Sequence, residues 1–267
     1  MATERKIYDK FRIFGIPISY CDTKQALEFV GKSIKNKETN SIFTPCLESL
    51  ALYNTNDVFA DASDNVDLSI VDGITLVIMS KFTKYPLHER ITGATFVVEI
   101  IKEFNETAKF FVVGSKPENL DIAFAKLHKD FPNMKGIEYY SPPFYKGSFP
   151  QEEVDIVIKK INESNANVVF FALGAPKQEM LIQAVKQHVK ANILMSCGGT
   201  FEFIGGVVQR APRRIQKMGL EWAFRIYSEP NRMIKRYAWQ AKVFFIVVFK
   251  SIFGIKRKKL PSLNNNS

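Results

Sequence analysis

Six short apolar runs, each closed by a turn residue and most of them followed by a stretch of helical spacing, constrain this fold more than any other feature. They are SIFT (41–44), VDLSIV (66–71), KFFVVG (109–114), GIEYYS (136–141), NVVFFALG (167–174) and NILMSCGG (192–199). Continuous Val, Ile and Phe runs, rather than strict alternation, suit strands buried on both faces of a parallel sheet. The segments between them read as helices: Pro45 to about Ala62, an apolar stretch after Asp72-Gly73 to Met79, and 115–131. In the last of these, Leu120, Ala123, Phe124 and Leu127 keep helical spacing. A polar helix follows from about Gln151 to Asn165, and another begins at APKQE. The expected fold is therefore α/β: a Rossmann-like, mostly parallel sheet flanked by helices, with five or six β-α units between Ser41 and Gly199. A small hairpin is expected from about Arg12 to Ser19.

In such a sheet, ligands bind beyond the carboxyl ends of the strands. Those ends carry Thr44, Asp72, Gly114, Gly174 and Gly198-Gly199. Neither a G-x-G-x-x-G fingerprint nor a Walker lysine motif occurs among them, which argues against NAD and ATP. Asp72 follows an apolar strand, and a carboxylate with one apolar wall can be held basic enough to take a proton from a hydroxyl. Read blandly, the same Asp-Gly pair is a turn that starts the next helix. Thr44 is either a substrate contact or simply a strand-end residue or helix cap. In GAPKQE (174–179), Gly174 frees the backbone while Gln178 and Glu179 stand at the mouth of a helix. Gln and Glu in a first turn are also ordinary helix-start chemistry.

Charge divides the chain unevenly. From Gln209 to Ser267 there are 14 Lys and Arg against two Glu, a net +12, while the whole chain is +10. All the excess positive charge thus lies in the last 59 residues. Residues 1–208 are accordingly read as the catalytic domain and 209–267 as a basic helical appendage and tail. Arg210, Arg213, Arg214, Arg225, Arg232, Lys235 and Arg236 are placed on two helices separated by Glu229-Pro230. Arg225, Arg232 and Arg236 are spaced to share one face if Pro230 only begins a new turn, a geometry able to grip a diphosphate. The plain alternative is a solvated basic face. Trp222, Phe224, Tyr227, Tyr237 and Trp239 interleave with these cations, a mixture that also suits nucleic acid, but no nucleic-acid-binding motif accompanies it.

The tail reads AKVFFIVVFKSIFGIKRKKL. Its apolar part, Val243–Ile255, is interrupted by Lys250 and is too short to span a bilayer. With KRKK (256–259) after it, residues 240–259 suit a helix lying on the cytoplasmic face of a membrane. A core or oligomer helix is the alternative. The N-terminus lacks the apolar core of a secretory signal, and three cysteines without a C-x-x-C pair point to a reducing compartment. His88, His128 and His188 are scattered, and no D-x-D pair occurs, so neither a metal site nor a cofactor is expected.

Seven phrases in order carry a resemblance: FTPCLESL, the strand-DG at Val71–Gly73, ERITGATF (89–96), FFVVGSKPE, ALGAPKQE, CGGTFEFIGGVVQRAPRRIQKMGLEW and RIYSEPNRMIKRY. From about Phe14 to Tyr237 the chain resembles the WecG/TagA/CpsF family of bacterial glycosyltransferases (glycosyltransferase family 26). The resemblance implies inverting transfer from a UDP-sugar (N-acetylmannosamine, its uronic acid or a hexose) to a polyprenyl-diphosphate-linked saccharide, in cell-surface polysaccharide synthesis. It implies Asp72 as general base, and Thr44 and Gln178 in the active site. Arg90, Gly93, Gly174, Glu179 and Gly199, which lie in the same phrases, are further candidates for substrate contacts. Arg225 and Arg232 would clasp the diphosphate, with a further basic position at Lys235 or Arg236. Cationic arginines would then neutralise the leaving group in place of a metal. One position departs: the family usually reads Thr-x-Asn where this chain has Thr44-Pro45-Cys46, and a thiol offers a sugar hydroxyl little. Donor and acceptor identity are left open by that change. So is self-association. A membrane-tethered nucleotide- or sugar-binding module without catalysis is the competing reading.

Overall fold

Residues 8–253 are described by a computed structural model of the chain. The elements run β1 (Lys10–Ile13), β2 (Ile16–Ser19), α1 (Thr23–Asn36), β3 (Asn40–Phe43), α2 (Leu47–Tyr53), α3 (Asp57–Asp64) and β4 (Leu68–Ser69). There follow α4 (Ile74–Ser80), α5 (Gly93–Phe104), β5 (Phe110–Gly114), α6 (Pro117–Asp130), β6 (Ile137–Tyr140) and α7 (Gln151–Ser164). The chain continues with β7 (Val168–Ala172), α8 (Lys177–Val185), β8 (Ile193–Ser196), α9 (Thr200–Gly205), α10 (Arg213–Lys217), α11 (Glu221–Ser228) and α12 (Pro230–Ile252).

Six strands form a parallel sheet in the order β4-β3-β8-β7-β5-β6, and β1 and β2 pair as an antiparallel hairpin. Alternate residues of each central strand point to opposite faces. Phe110, Val112, Val168 and Phe170 meet α5, α6 and α9 on one side. Phe111, Val113, Val169 and Phe171 meet α7 and α8 on the other. Both sets are buried, which is why β5 and β7 read as unbroken apolar runs. Each Phe so buried contributes about 2–3 kcal/mol through area removed from water. The expected α/β sheet is thus present, and because every strand is parallel, all the carboxyl ends lie along one edge.

Three local expectations are corrected. The helix from Pro45 to Ala62 is two helices, α2 and α3, because Asn56 starts a new one: its side chain accepts the Phe59 N–H at 3.0 Å. The VDLSIV run pairs only over Leu68–Ser69; the Ile70 N–H makes a last bond to the Phe43 carbonyl at 2.9 Å, and the chain then leaves β3 to deliver Asp72. The arginines are not on two helices. Arg210 lies in the segment before α10, Arg213 and Arg214 lie in α10, Arg225 in α11, and Arg232, Lys235 and Arg236 in α12.

Two helices carry start signals that the strand pattern did not reveal. Asp22 and Gln25 cap α1 reciprocally, and the Thr92 side chain accepts the Thr95 N–H at the start of α5. As far as Ile252, the basic helix and the apolar tail are one continuous element, α12. It packs through Val243 and Val247 onto Ala51 of α2, with Phe14 and Trp239 beside them. The KRKK segment lies outside the described residues.

Candidate functional site

At the carboxyl edge of the sheet, the loops after β3 and β4 are pressed together. The N–H groups of Asp72 and Gly73 both donate to the Pro45 carbonyl, at 3.0 and 3.2 Å. A Cβ at Gly73 would stand 2.9 Å from the Cys46 Cα, so this approach requires glycine. The Ile91 N–H donates to the Val71 carbonyl at 2.9 Å and draws in the segment leading to α5. There the Gly93 N–H donates to Asp72 Oδ2 at 3.1 Å. A Cβ on Gly93 would meet Thr44 Oγ1 at 3.4 Å and Asp72 Oδ2 at 3.6 Å, so Thr44, Asp72 and Gly93 are one cluster. Thr44 Oγ1 itself donates to the Ser196 carbonyl at 3.2 Å, tying β3 to β8.

Asp72 is raised above the ordinary carboxylate pKa, chiefly by burial. The Gly93 N–H opposes that shift, Glu221 adds to it, and Arg90 and Arg210 oppose it. A carboxylate in this balance is more basic than one in water, yet is not paired outright with a cation.

The cluster sits where two lobes of one cleft meet. One lobe encloses about 500 Å³ and the other about 660 Å³, and both are lined by Cys46, Glu48, Asp72, Phe203, Arg225 and Arg236. The C-terminal helices roof both lobes. In the smaller, Arg90 and Arg210 grip Glu221, at 2.7 and 3.3 Å, and Arg210 reaches Thr92 Oγ1 at 3.0 Å. Arg90 also donates to the Gln216 carbonyl at 3.1 Å. This network fastens α10 and α11 to the segment that holds Asp72.

The larger lobe lies over β7 and β8. Gly174 (φ +77°) and Gly198 (φ +53°) adopt left-handed backbone there, and a Cβ on either would meet only open space. Gln178 and Glu179 are buried beneath them, and Gln178 Oε1 accepts from both glycine N–H groups. Gly199 packs over Glu202, whose Oε1 accepts from Ser115 Oγ at 2.7 Å while Oε2 is buried with no hydrogen-bond partner. Arg225, Arg232 and Arg236 line the opposite wall. Arg225 stacks over the Phe203 ring at 5.1 Å, Arg232 pairs with Glu229 at 2.6 Å, and Arg236 pairs with Glu48 of α2. Lys235 is exposed and lines neither lobe, so Arg236 is the cation of this turn that faces the cleft.

The structure therefore gathers Asp72, Thr44, Gly174, Gln178, Glu179, Gly199, Arg225, Arg232 and Arg236 around one cleft; Arg90 lines its smaller lobe, and Gly93 stands behind its wall. Sequence reasoning did not single out Glu48, Glu202, Phe203 or Glu221. Glu221 did carry a signal, being one of only two acids in the basic segment; the other three sit in ordinary helix turns and reach the cleft only through tertiary contacts. Among the described residues, no three His, Cys, Asp or Glu side chains converge to hold a metal ion, and no helix is long and apolar enough to cross a membrane.

The family described as glycosyl transferase WecG/TagA/CpsF matches residues 11–258. The match takes in the apolar tail as well as the motifs that end at Tyr237.

Proposed function

This chain belongs to the WecG/TagA/CpsF glycosyltransferase family, and from that premise we propose that it is an inverting, UDP-sugar-dependent hexosyltransferase working at the cytoplasmic face of a membrane. The acceptor in this reading is a polyprenyl-diphosphate-linked saccharide of cell-surface polysaccharide synthesis. The observation that carries it is Asp72: a carboxylate made more basic by burial, at the junction of two lobes, facing a wall of arginines.

The donor occupies the larger lobe. Glycine backbone at Gly174 and Gly198 lets the nucleotide approach closely, and the unpartnered Glu202 Oε2 suits a ribose hydroxyl. Asp72 removes the proton from the acceptor hydroxyl, whose oxygen attacks the anomeric carbon from the face opposite the diphosphate. The bond from that carbon to the diphosphate oxygen breaks, and UDP departs with its electron pair. Arg225, Arg232 and Arg236 offset the developing negative charge. The guanidinium set gives the diphosphate its counter-charge without a metal.

The support for membrane attachment is α12. Val243 and Val247 face α2, whereas Phe245, Phe249 and Ile252 project to solvent from the opposite side. An exposed aromatic stripe on a basic helix is the pattern of an interfacial helix.

The deciding experiment is UDP release from a panel of UDP-sugars, with and without a short polyprenyl-diphosphate-GlcNAc analogue, with EDTA present. Acceptor-dependent release from one donor is expected. A folded protein that binds UDP but releases none from any donor and acceptor would overturn catalysis in favour of a binding module.

A further inference from the structure

Gln178 is not a free hand in the cleft. Its Oε1 accepts the Gly174 N–H at 3.2 Å and the Gly198 N–H at 3.0 Å, so one amide oxygen bridges the loops that end β7 and β8. Reversing that amide would aim its NH₂ group at two N–H donors. What sets the orientation is Glu179, whose Oε1 accepts from Gln178 Nε2 at 2.8 Å. Glu179 is itself buried, at 5% exposure, and its Oε2 has no hydrogen-bond partner. Ser196 Oγ is buried without a hydrogen-bond partner as well.

From this geometry we infer that Glu179 is a positioning residue: it locks the Gln178 amide in the one orientation that ties the Gly174 and Gly198 loops into a single donor-binding floor. That this floor holds the donor rests on the function proposed above; the lock itself does not.

Below about pH 7, Glu179 performs this task as a neutral acid. Burial raises its pKa to about 7, helped by the negative charge of Glu48, while hydrogen bonds oppose the shift. The groups facing it are Glu48 from α2, already paired with Arg236 of α12, the Ser196 hydroxyl and the Cys197 thiol at the end of β8, and Gln178 on its own helix. None supplies a free cation, so ionisation leaves a buried charge uncompensated. The neutral acid accepts from Gln178 through one oxygen and has a proton to donate from the other. A glutamine at 179 reproduces both roles; an alanine reproduces neither.

The test compares the full-length chain with Glu179→Gln and Glu179→Ala, reading backbone hydrogen exchange at Gly174 and Gly198. Exchange about tenfold faster at both amides is expected in the alanine variant, as for one lost buried hydrogen bond, with the glutamine variant like wild type. UDP affinity should fall by a similar factor in the alanine variant alone. Thermal stability against pH supplies a second readout, and it decides the matter should the alanine variant not fold. The folded wild type holds a proton that the unfolded chain releases near 4.5, so its stability relative to Glu179→Gln should fall as pH rises from about 4.5 to 7. Unchanged exchange in the alanine variant, a glutamine variant that exchanges like alanine, or parallel pH curves would each overturn the inference. Wild-type protein that binds no UDP would instead overturn the donor-site reading, leaving the exchange result to judge the lock.

Discussion

At the scale of single residues, the site is governed by desolvation. Asp72 is more basic than a carboxylate in water because burial outweighs the Gly93 N–H and the nearby guanidiniums. The same burial makes its charge costly to the fold. Asp72→Asn is therefore expected to lower turnover by about a hundredfold to ten-thousandfold, the range of general-base catalysis. Its melting temperature at pH 8 should equal or exceed wild type, because a group whose folded pKa is raised costs stability once pH rises through it. Activity assays paired with thermal melts check both halves, and near-normal turnover would remove Asp72 from the mechanism. Arg232 is mostly exposed and paired locally with Glu229, whereas Arg236 is half-buried against Glu48 from a distant helix. Arg236→Ala should therefore lose both UDP affinity and some stability, since it leaves Glu48 uncompensated in the cleft, while Arg232→Ala should lose affinity alone.

Between residues and fold lie the elements, and here the strand-end loops matter most. The loops after β3 and β4 touch through Gly73 and Cys46, with no room for a methyl group at 2.9 Å from a backbone carbon. Gly73→Ala should push these loops apart, move Asp72 away from Gly93, and reduce kcat more than donor KM, measurable by steady-state kinetics on folded protein. The element pattern was largely legible in the sequence: VVFFA and FFVVG announce central strands because both faces are buried. What stayed hidden were α1 and α5, which are set by caps at Asp22 and Thr92 rather than by strand signals, and the break at Asn56 inside a longer helical pattern.

For the whole molecule, α12 joins the chemistry to the surface. Its inner face carries Arg236 into the cleft and buries Val243 and Val247 on α2, while its outer face exposes Phe245 at 69% and Phe249 at 58%. Replacing Phe245 and Phe249 by Asp should weaken binding to anionic vesicles by about tenfold or more, since two aromatic rings are withdrawn from the interface. UDP affinity in solution should not change, because neither ring lines the cleft. Vesicle co-sedimentation alongside calorimetry separates the two effects, and undiminished vesicle binding would return the stripe to a protein-facing role.

The sequence by itself determined the parallel sheet, the edge at which its strand-end loops gather, the basic segment and the motifs that point to Asp72, Gln178 and the arginines. These follow from local rules, because hydrophobic period, turn residues and charge runs act over a few residues at a time. Tertiary structure alone decided that Arg236 rather than Lys235 faces the cleft, that Glu221 is shared by Arg90 and Arg210, and that Gln178 is held by Glu179 beneath two glycine loops. Such contacts span the chain: Arg236 meets Glu48, 188 positions away. Their energies depend on burial and distance, which exist only once the helices have closed over the sheet.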